Sequence, residues 1–223
     1  MEIFTKVLAY FILLFAITIH EASHGWAAKK FGDPTAFNMG RVTINPIPHI
    51  DPIGTVMLPL IMMFTGIALI GWAKPVPVNP MNLKNPRRDN LWISAAGPIS
   101  NFTAAIGFIV LLQIIKFTSP RFFQAAFYVI PGQAGQLQLA QGIGLLLYFG
   151  ILINIALGIF NLLPIPPLDG SGVLMGFLSD EATEKYEKIR PYGMFIILGL
   201  VFFRFFQVIF TPVQAFIQML ISI

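Results

Sequence analysis

The run HEASH, residues 20–24, holds the side chains of this chain that are best suited to do chemistry. When such a run is helical, His20 and His24 lie four residues apart on one face, where both imidazoles can bind one zinc ion. Glu21 is then close enough to take a proton from a water molecule at the metal. The spacing therefore predicts a hydrolytic metal centre that uses water as the nucleophile.

The helix expected to carry this motif is a membrane helix. Residues 7–19 carry no charge and are almost entirely apolar, whereas the helix that carries the same motif in soluble metalloproteases is amphipathic and exposed to water. Three ionisable groups in a membrane helix are costly unless they serve a function. The position of the motif therefore predicts hydrolysis within the bilayer.

Composition supports an integral membrane protein. Of the 223 residues, 56% are hydrophobic and 11% charged, whereas a soluble domain carries about 25% charged residues. The absence of cysteine excludes disulfides and thiolate metal sites. The net charge of +4 suits cationic loops that face anionic lipid, and no basic, aromatic-rich surface points to nucleic acid. We expect one membrane-embedded domain, residues 1–223, with no separate soluble domain.

Hydropathy predicts an all-α, polytopic membrane protein with a three-span core. The predicted spans are residues 3–28, 91–115 and 141–163. Three prolines follow the third span at once and must end it. Beyond a polar helix or loop at 179–190, residues 191–223 predict additional C-terminal membrane helices. These are one span to about Phe203 and a second membrane or interfacial helix broken at Pro212.

The apolar segment 52–73 does not fit this simple arrangement. Positive charges both precede and follow it, at Lys29, Lys30 and Arg41 and at Lys74, Lys84, Arg87 and Arg88. Since Lys and Arg favour the cytoplasmic side, both flanks are expected there, which a single crossing cannot achieve. A re-entrant or hairpin excursion is therefore favoured, with an ordinary span as the alternative.

Asp169 is the best candidate for a third metal ligand. A catalytic zinc ion needs three protein ligands and an open position for water. The extended motif with a third histidine fails here, because Lys30 stands where that histidine would be. Asp169 follows the third span, and a carboxylate at membrane depth is a functional candidate. If spans one and three run in the same direction, Asp169 reaches both histidines of the motif. His49 is expected in an interfacial loop instead.

Three stretches together resemble the site-2 protease family of intramembrane zinc metalloproteases. They are HEASH in a membrane helix, AAGPISN at 95–101 and NLLPIPPLDG at 161–170. The resemblance covers about residues 3–175 and is strongest to the compact bacterial members without PDZ or CBS domains. It implies zinc bound by His20, His24 and Asp169, with Glu21 as the base that activates water and later protonates the leaving amine.

The same resemblance implies the substrate and its location. The substrate would be a transmembrane helix of another protein, cut below the cytoplasmic surface of the cell membrane. Residues 33–51 are expected to be extended, with a short β-hairpin, and residues 75–78 to form an edge strand. Exposed strand edges near the zinc could capture an unwound substrate by strand addition, at 37–45 or 74–78. A homo-oligomer is compatible with the sequence.

Two asparagines of the third span, Asn154 and Asn161, are candidates to bind the oxyanion or position the substrate. Bonding across helices or capping a helix end is the alternative for both. Asn101 is expected to support packing or to orient the metal-binding helix. Two other function classes stay open: a metal or solute transporter that uses the same His and Asp residues, and a scaffold without proteolytic activity. A transporter does not need Glu21 as a base.

Overall fold

The computed structural model describes residues 2–65, 71–128, 137–203 and 205–222 and is all-α over these residues. The helices are α1 Glu2–Lys30, α2 Thr35–Asn38, α3 Leu58–Thr65, α4 Pro86–Thr118, α5 Pro120–Phe127, α6 Leu137–Asn161, α7 Asp169–Phe177, α8 Asp180–Glu187, α9 Gly193–Phe202 and α10 Phe205–Ser222. A π-helical stretch, Pro52–Met57, leads into α3, and short 3₁₀ turns lie at Ile47–His49, Pro80–Asn82 and Arg190–Tyr192.

Three helices in the described part of the chain are, each by itself, long and apolar enough to cross a membrane. Their qualifying segments are Ile3–Lys30, Pro86–Thr118 and Leu139–Asn161, which confirms the three-span core. Two lysines stand in the last turn of α1, and Gly32 follows with a φ of 111°, a conformation that other residues rarely adopt. Helix α4 begins with Pro86 in its first turn, where a missing N–H costs nothing.

Helix α4 is the centre of the packing, in contact with α1, α5, α6 and α7. On its α6 side, Gly150 and Gly158 leave no room for a side chain, because an added Cβ would meet the rings of Phe108 and Phe102. Small residues of this kind let membrane helices approach closely. The main buried cluster lies beyond, where α4, α5 and α6 meet α10. The three core helices thus form a rigid frame.

Residues 33–51 differ from the predicted extended segment with a β-hairpin. They contain α2 and a 3₁₀ turn, and no strand. The cause is Asp33, whose buried carboxylate accepts hydrogen bonds from the backbone N–H and the hydroxyl of Thr35, at 3.1 and 2.5 Å. These bonds start a helical turn in place of an extended strand. Residues 75–78 form neither the predicted edge strand nor a helix.

The two ends of segment 52–73 lie side by side. The chain leaves through Pro52–Met57 and α3, and residues 66–70 lie outside the described part. The backbone N–H of Trp72 then donates to the carbonyl of Gly54 at 3.3 Å. The hydroxyl of Thr55 donates to the carbonyl of Trp72 at 2.8 Å. The end of the segment therefore lies beside its beginning.

The additional C-terminal membrane helices stay a prediction, and the structure differs from that prediction at one proline. Pro212 lies inside α10 and does not break it. A proline in a helix removes one backbone hydrogen bond, but Ile209, Val213 and Ile217 on this helix are buried, and their packing offsets the loss. The polar stretch forms α8 as expected, and the hydroxyl of Ser179 accepts from the N–H of Ala182 at its start.

Candidate metal centre

Both histidines of the HExxH motif point at one carboxylate. His20 and His24 are 6% and 7% exposed, and their ring centroids are 4.7 Å apart. The Nε2 atom of His20 lies 2.9 Å from one oxygen of Asp169, and that of His24 lies 3.3 Å from the other. The structure therefore brings these three side chains together, within the reach of one metal ion.

Asp169 owes its position to the close packing of α7 against its neighbours. It is the first residue of α7, and the next residue, Gly170, lies against the carbonyl of Leu162 so closely that a Cβ would clash. One face of α7 also has no room for side chains, because Gly172 meets the Ser94 side chain of α4. The turn after α6 thus places the carboxylate beneath α1.

The other ring nitrogens show which atoms are free to bind metal. The Nδ1 of His24 lies 2.7 Å from the carbonyl of Ile93, which can only accept, so Nδ1 carries the proton. The Nδ1 of His20 lies 2.6 Å from Oδ1 of Asn101. The amide nitrogen of Asn101 donates to the carbonyl of Ala16 and to Oδ1 of Asn154, at 3.0 and 3.1 Å. The amide oxygen is therefore the atom that faces His20.

In its neutral form, a ring that carries its proton on Nδ1 presents the lone pair of Nε2, and for both histidines this lone pair faces an oxygen of Asp169. Acceptors facing acceptors at such short distances repel one another unless a cation lies between them. Metal-binding histidines commonly donate their second N–H to a carbonyl or carboxylate in this way. Two imidazole nitrogens and a carboxylate are also the ligand set of catalytic zinc. The donors present here fit that ion.

Gly97 of α4 keeps the space beside the two ligands open. A Cβ at this position would lie 2.5 Å from Nε2 of His24 and 2.6 Å from Nε2 of His20. Such distances are far shorter than a carbon–nitrogen contact allows. The backbone of α4 therefore leaves open the space that a bound ion and its fourth ligand require.

Glu21 lies on the wall of a cavity of about 340 Å³. The cavity runs between α1, α6 and α10, and its remaining lining is mostly apolar, with Trp72 and Ala73 at one side. One carboxylate oxygen of Glu21 accepts from the backbone N–H of Val76 at 3.0 Å. His20 and Asn161 line the same cavity. The carboxylate of Glu21 and a candidate metal ligand thus line one mostly apolar cavity.

The two asparagines of α6 have different surroundings. Asn154 is fully buried, accepts from Asn101 and donates to the carbonyl of Gly150 at 2.8 Å. It therefore stands behind His20 and away from the cavity. Asn161 lines the cavity, and its amide nitrogen donates to the carbonyl of Leu157 at 3.0 Å. That bond leaves the amide oxygen, an acceptor, unused.

His49 lies in the loop before the π-helical stretch and not among the metal-binding side chains. It is fully buried, its Nε2 lies 3.1 Å from the carbonyl of Thr43, and its own carbonyl accepts from the N–H of Lys74. Burial, together with the nearby charge of Arg41, lowers the pKa of His49. A neutral imidazole here holds the loop beneath residues 71–79.

Sequence reasoning missed three features of the site. They are the carbonyl of Ile93, the open space at Gly97 and the N–H of Val76. The last had a signal in the sequence. Val76 stands between Pro75 and Pro77, so its N–H is the single backbone donor of that tripeptide.

The comparison with known families agrees with this geometry. The profile of Peptidase family M50 matches residues 8–203, a range that includes the whole metal centre. The chain belongs to this family. Membership of a family of peptidases makes the chain an enzyme and favours it over a transporter or an inactive scaffold. No solved structure gives a significant match.

Several curated relatives resemble the M50 chain over most of its length. YwhC of Bacillus subtilis, named provisionally as a zinc metalloprotease, is 36% identical over 84% of this chain and 77% of its own. Rip2 of Mycolicibacterium smegmatis, named in the same way, is 30% identical over 84% of this chain. A zinc metalloprotease of Methanocaldococcus jannaschii is 29% identical over 80% of it. The chain spans 63% of Rip2 and 36% of the last protein.

Proposed function

We propose that the chain is a zinc-dependent intramembrane endopeptidase that cuts transmembrane helices of other proteins near the cytoplasmic face. One observation carries the proposal. The carboxylate of Glu21 and the metal-facing His20 line the same apolar cavity between the membrane helices. The relatives named as zinc metalloproteases support zinc as the metal.

The roles of the residues follow from their contacts. His20, His24 and Asp169 would hold the ion. When bound, zinc supplies a Lewis acid that polarises the scissile carbonyl and makes water acidic enough to attack at neutral pH. Glu21 takes the proton from that water and delivers it to the leaving amine. The N–H of Val76 occupies one oxygen of Glu21 and leaves the other for the proton.

Of the two predicted segments, 74–78 is the better candidate to bind the unwound substrate, together with the adjoining residues of the segment 71–79. This segment forms neither helix nor strand, and the N–H groups of Trp72, Lys74 and Val76 are taken by Gly54, His49 and Glu21. Ala73 lines the cavity, which puts this part of the segment within reach of a substrate there. An extended substrate could pair with this segment.

The second candidate segment, 37–45, has a supporting contact instead. The guanidinium of Arg41 is buried and donates to the carbonyl of Lys74 at 2.5 Å. Segment 37–45 therefore holds segment 71–79 in place through this hydrogen bond. Asn161, on the cavity wall beside His20, is the residue we assign to orienting the substrate or its oxyanion. Asn154 acts through Asn101 and does not touch the substrate.

The cytoplasmic placement of the site rests on charge. The metal centre lies near the end of α1 that carries Lys29 and Lys30 and near the start of α4, which carries Arg87 and Arg88. Lys and Arg concentrate on the cytoplasmic side of membrane proteins. The return of segment 52–73 to its starting point keeps both of its flanks on that side, which supports a re-entrant excursion.

Cleavage of single-span helical substrates in liposomes tests the proposal. Wild type is compared with Glu21→Gln and with Glu184→Gln, a matched loss of an exposed carboxylate on α8. We expect wild type and Glu184→Gln to cut within the membrane segment, as seen by mass spectrometry, while Glu21→Gln binds zinc but does not cut. Cleavage by Glu21→Gln, or metal flux without cleavage by any of the three proteins, would overturn it.

A further inference from the structure

A second groove lies on the outer side of α1 and α4, away from the metal centre, with a volume of about 660 Å³. On α1 it is lined by Ile19, Ser23, Trp26 and Lys30, which share one face of the helix. That face is roughly a quarter of a turn away from the face of His20 and His24. The groove therefore belongs to neither the cavity nor the metal centre.

The walls of the groove offer no hydroxyl donor to a molecule bound in it. Its three hydroxyl groups all donate to carbonyls of their own helix, from Ser23 to Ile19 at 2.7 Å, from Ser100 to Gly97 at 2.7 Å and from Thr103 to Ile99 at 2.8 Å. None of the three hydroxyl groups has a donor left for a neighbour across the groove. Such a surface suits a hydrocarbon chain better than a helix that packs through interhelical hydrogen bonds.

One end of the groove is aromatic and cationic. Trp26 and Trp92 are 56% and 49% exposed there, as tryptophans at a membrane interface are. The ammonium of Lys30 lies 5.6 Å from the Trp26 ring. Arg88 is exposed one turn before Trp92 on the same face of α4. Within the described part of the chain, neither cation forms an ion pair with a carboxylate.

The length of the groove indicates what fills it. From Ile19 to Lys30 helix α1 rises about 16 Å, which is about the depth of one leaflet of a hydrocarbon core of about 30 Å. A transmembrane helix would need a face along the full core. We propose that the groove binds one anionic phospholipid, with an acyl chain along the walls and the phosphate between Lys30 and Arg88.

Native mass spectrometry of the full-length, delipidated protein tests the proposal. We expect phosphatidylglycerol to bind at least tenfold more tightly than phosphatidylcholine. The double variant Lys30→Gln/Arg88→Gln should lose about thirtyfold in affinity for phosphatidylglycerol. Its matched control, Lys188→Gln/Arg190→Gln, also removes one lysine and one arginine, but from the exposed segment after α8. Its affinity for phosphatidylglycerol should stay within twofold of the wild-type affinity.

A groove-filling variant and a cross-link separate lipid from protein occupants. Ala96→Leu should weaken binding of both lipids, because Ala96 lines the wall. A photoreactive residue in place of Ile99 should capture phospholipid. Equal binding of phosphatidylglycerol to wild type and to Lys30→Gln/Arg88→Gln would overturn the proposal. An equal loss in the control variant, or capture of a second copy of the chain or of another membrane helix at Ile99, would also overturn it.

Discussion

Replacing Asn101 by leucine should weaken metal binding although Asn101 touches no metal. The side chain is fully buried and makes three hydrogen bonds, of which the shortest, 2.6 Å, fixes the proton on Nδ1 of His20. Leucine has nearly the same shape but accepts nothing. The imidazole of His20 would then be free to carry its proton on Nε2, the atom that must bind the metal.

The expected losses of zinc affinity and of stability follow from the groups that Asn101→Leu leaves without a hydrogen-bond partner. Removing a partner that orients a metal-binding histidine typically costs about 10–100-fold in metal affinity, or about 1.4–2.7 kcal/mol. The orphaned Nδ1–H of His20 and Oδ1 of Asn154 also cost about 1–3 kcal/mol each in the stability of the fold. The two losses can be measured separately.

The assay is zinc affinity by competition with a chelator, run beside thermal unfolding and nitrogen NMR of the histidine rings. Asn101→Asp keeps an acceptor for Nδ1–H but loses both donor bonds. It should therefore be destabilised like Asn101→Leu while holding zinc within about tenfold of wild type. Thr18→Val is the matched control, because it removes a buried hydroxyl of α1 that donates to the carbonyl of Leu14.

Two results would refute this reasoning. Asn101→Leu could bind zinc as tightly as Thr18→Val, within twofold of wild type. Alternatively, Asn101→Leu and Asn101→Asp could lose the same zinc affinity with unchanged histidine nitrogen shifts. In either case Asn101 would be a packing residue only.

Three further outcomes are expected. Gly97→Ala should abolish stoichiometric zinc, because its Cβ would lie 2.5 Å from a ligand nitrogen, whereas Gly107→Ala on the same helix meets nothing within 4 Å and should bind zinc normally. Asp169→Ala should lose zinc strongly, and stoichiometric zinc in the purified variant would contradict its assignment as the third ligand. Burial alone would raise the pKa of Asp33, but hydrogen bonds from Thr35, Asn82 and Asn79 outweigh burial and lower it. Its stabilisation should therefore be complete above about pH 4 and fade as the pH falls through the folded pKa. The difference in free energy of unfolding between wild type and Asp33→Asn, about 1–3 kcal/mol at neutral pH, should shrink in acid, and the gap in melting temperature should narrow with it.

Local geometry made the chemistry of the metal centre readable from the sequence. The spacing of His20 and His24 needs only helical periodicity to put both rings on one face. The spans need only long uncharged runs. Asp169 was recognisable because a carboxylate at the end of an apolar helix is rare without a function. None of these inferences depends on contacts between distant segments.

The errors arose where distant segments compete with local preference. The rough alternation in residues 33–51 predicted extended chain, but the carboxylate of Asp33 also accepts from Asn79 and Asn82, and this set of bonds holds the turn of α2. Pro212 predicted a break, but burial of its neighbours keeps α10 continuous. A pattern of neighbouring residues does not contain the free energy gained from contacts with residues far along the chain.

The sequence by itself therefore predicted the candidate ligands and the candidate base and identified the three core helices, because each follows from residue type and short-range spacing. Only the tertiary structure decided how those groups are oriented. Asn101 reaches His20 across 81 positions of the chain, and Val76 reaches Glu21 across 55. Hydrogen bonds over such separations exist only after the helices have packed, since it is the packing that brings their donors and acceptors within 3 Å.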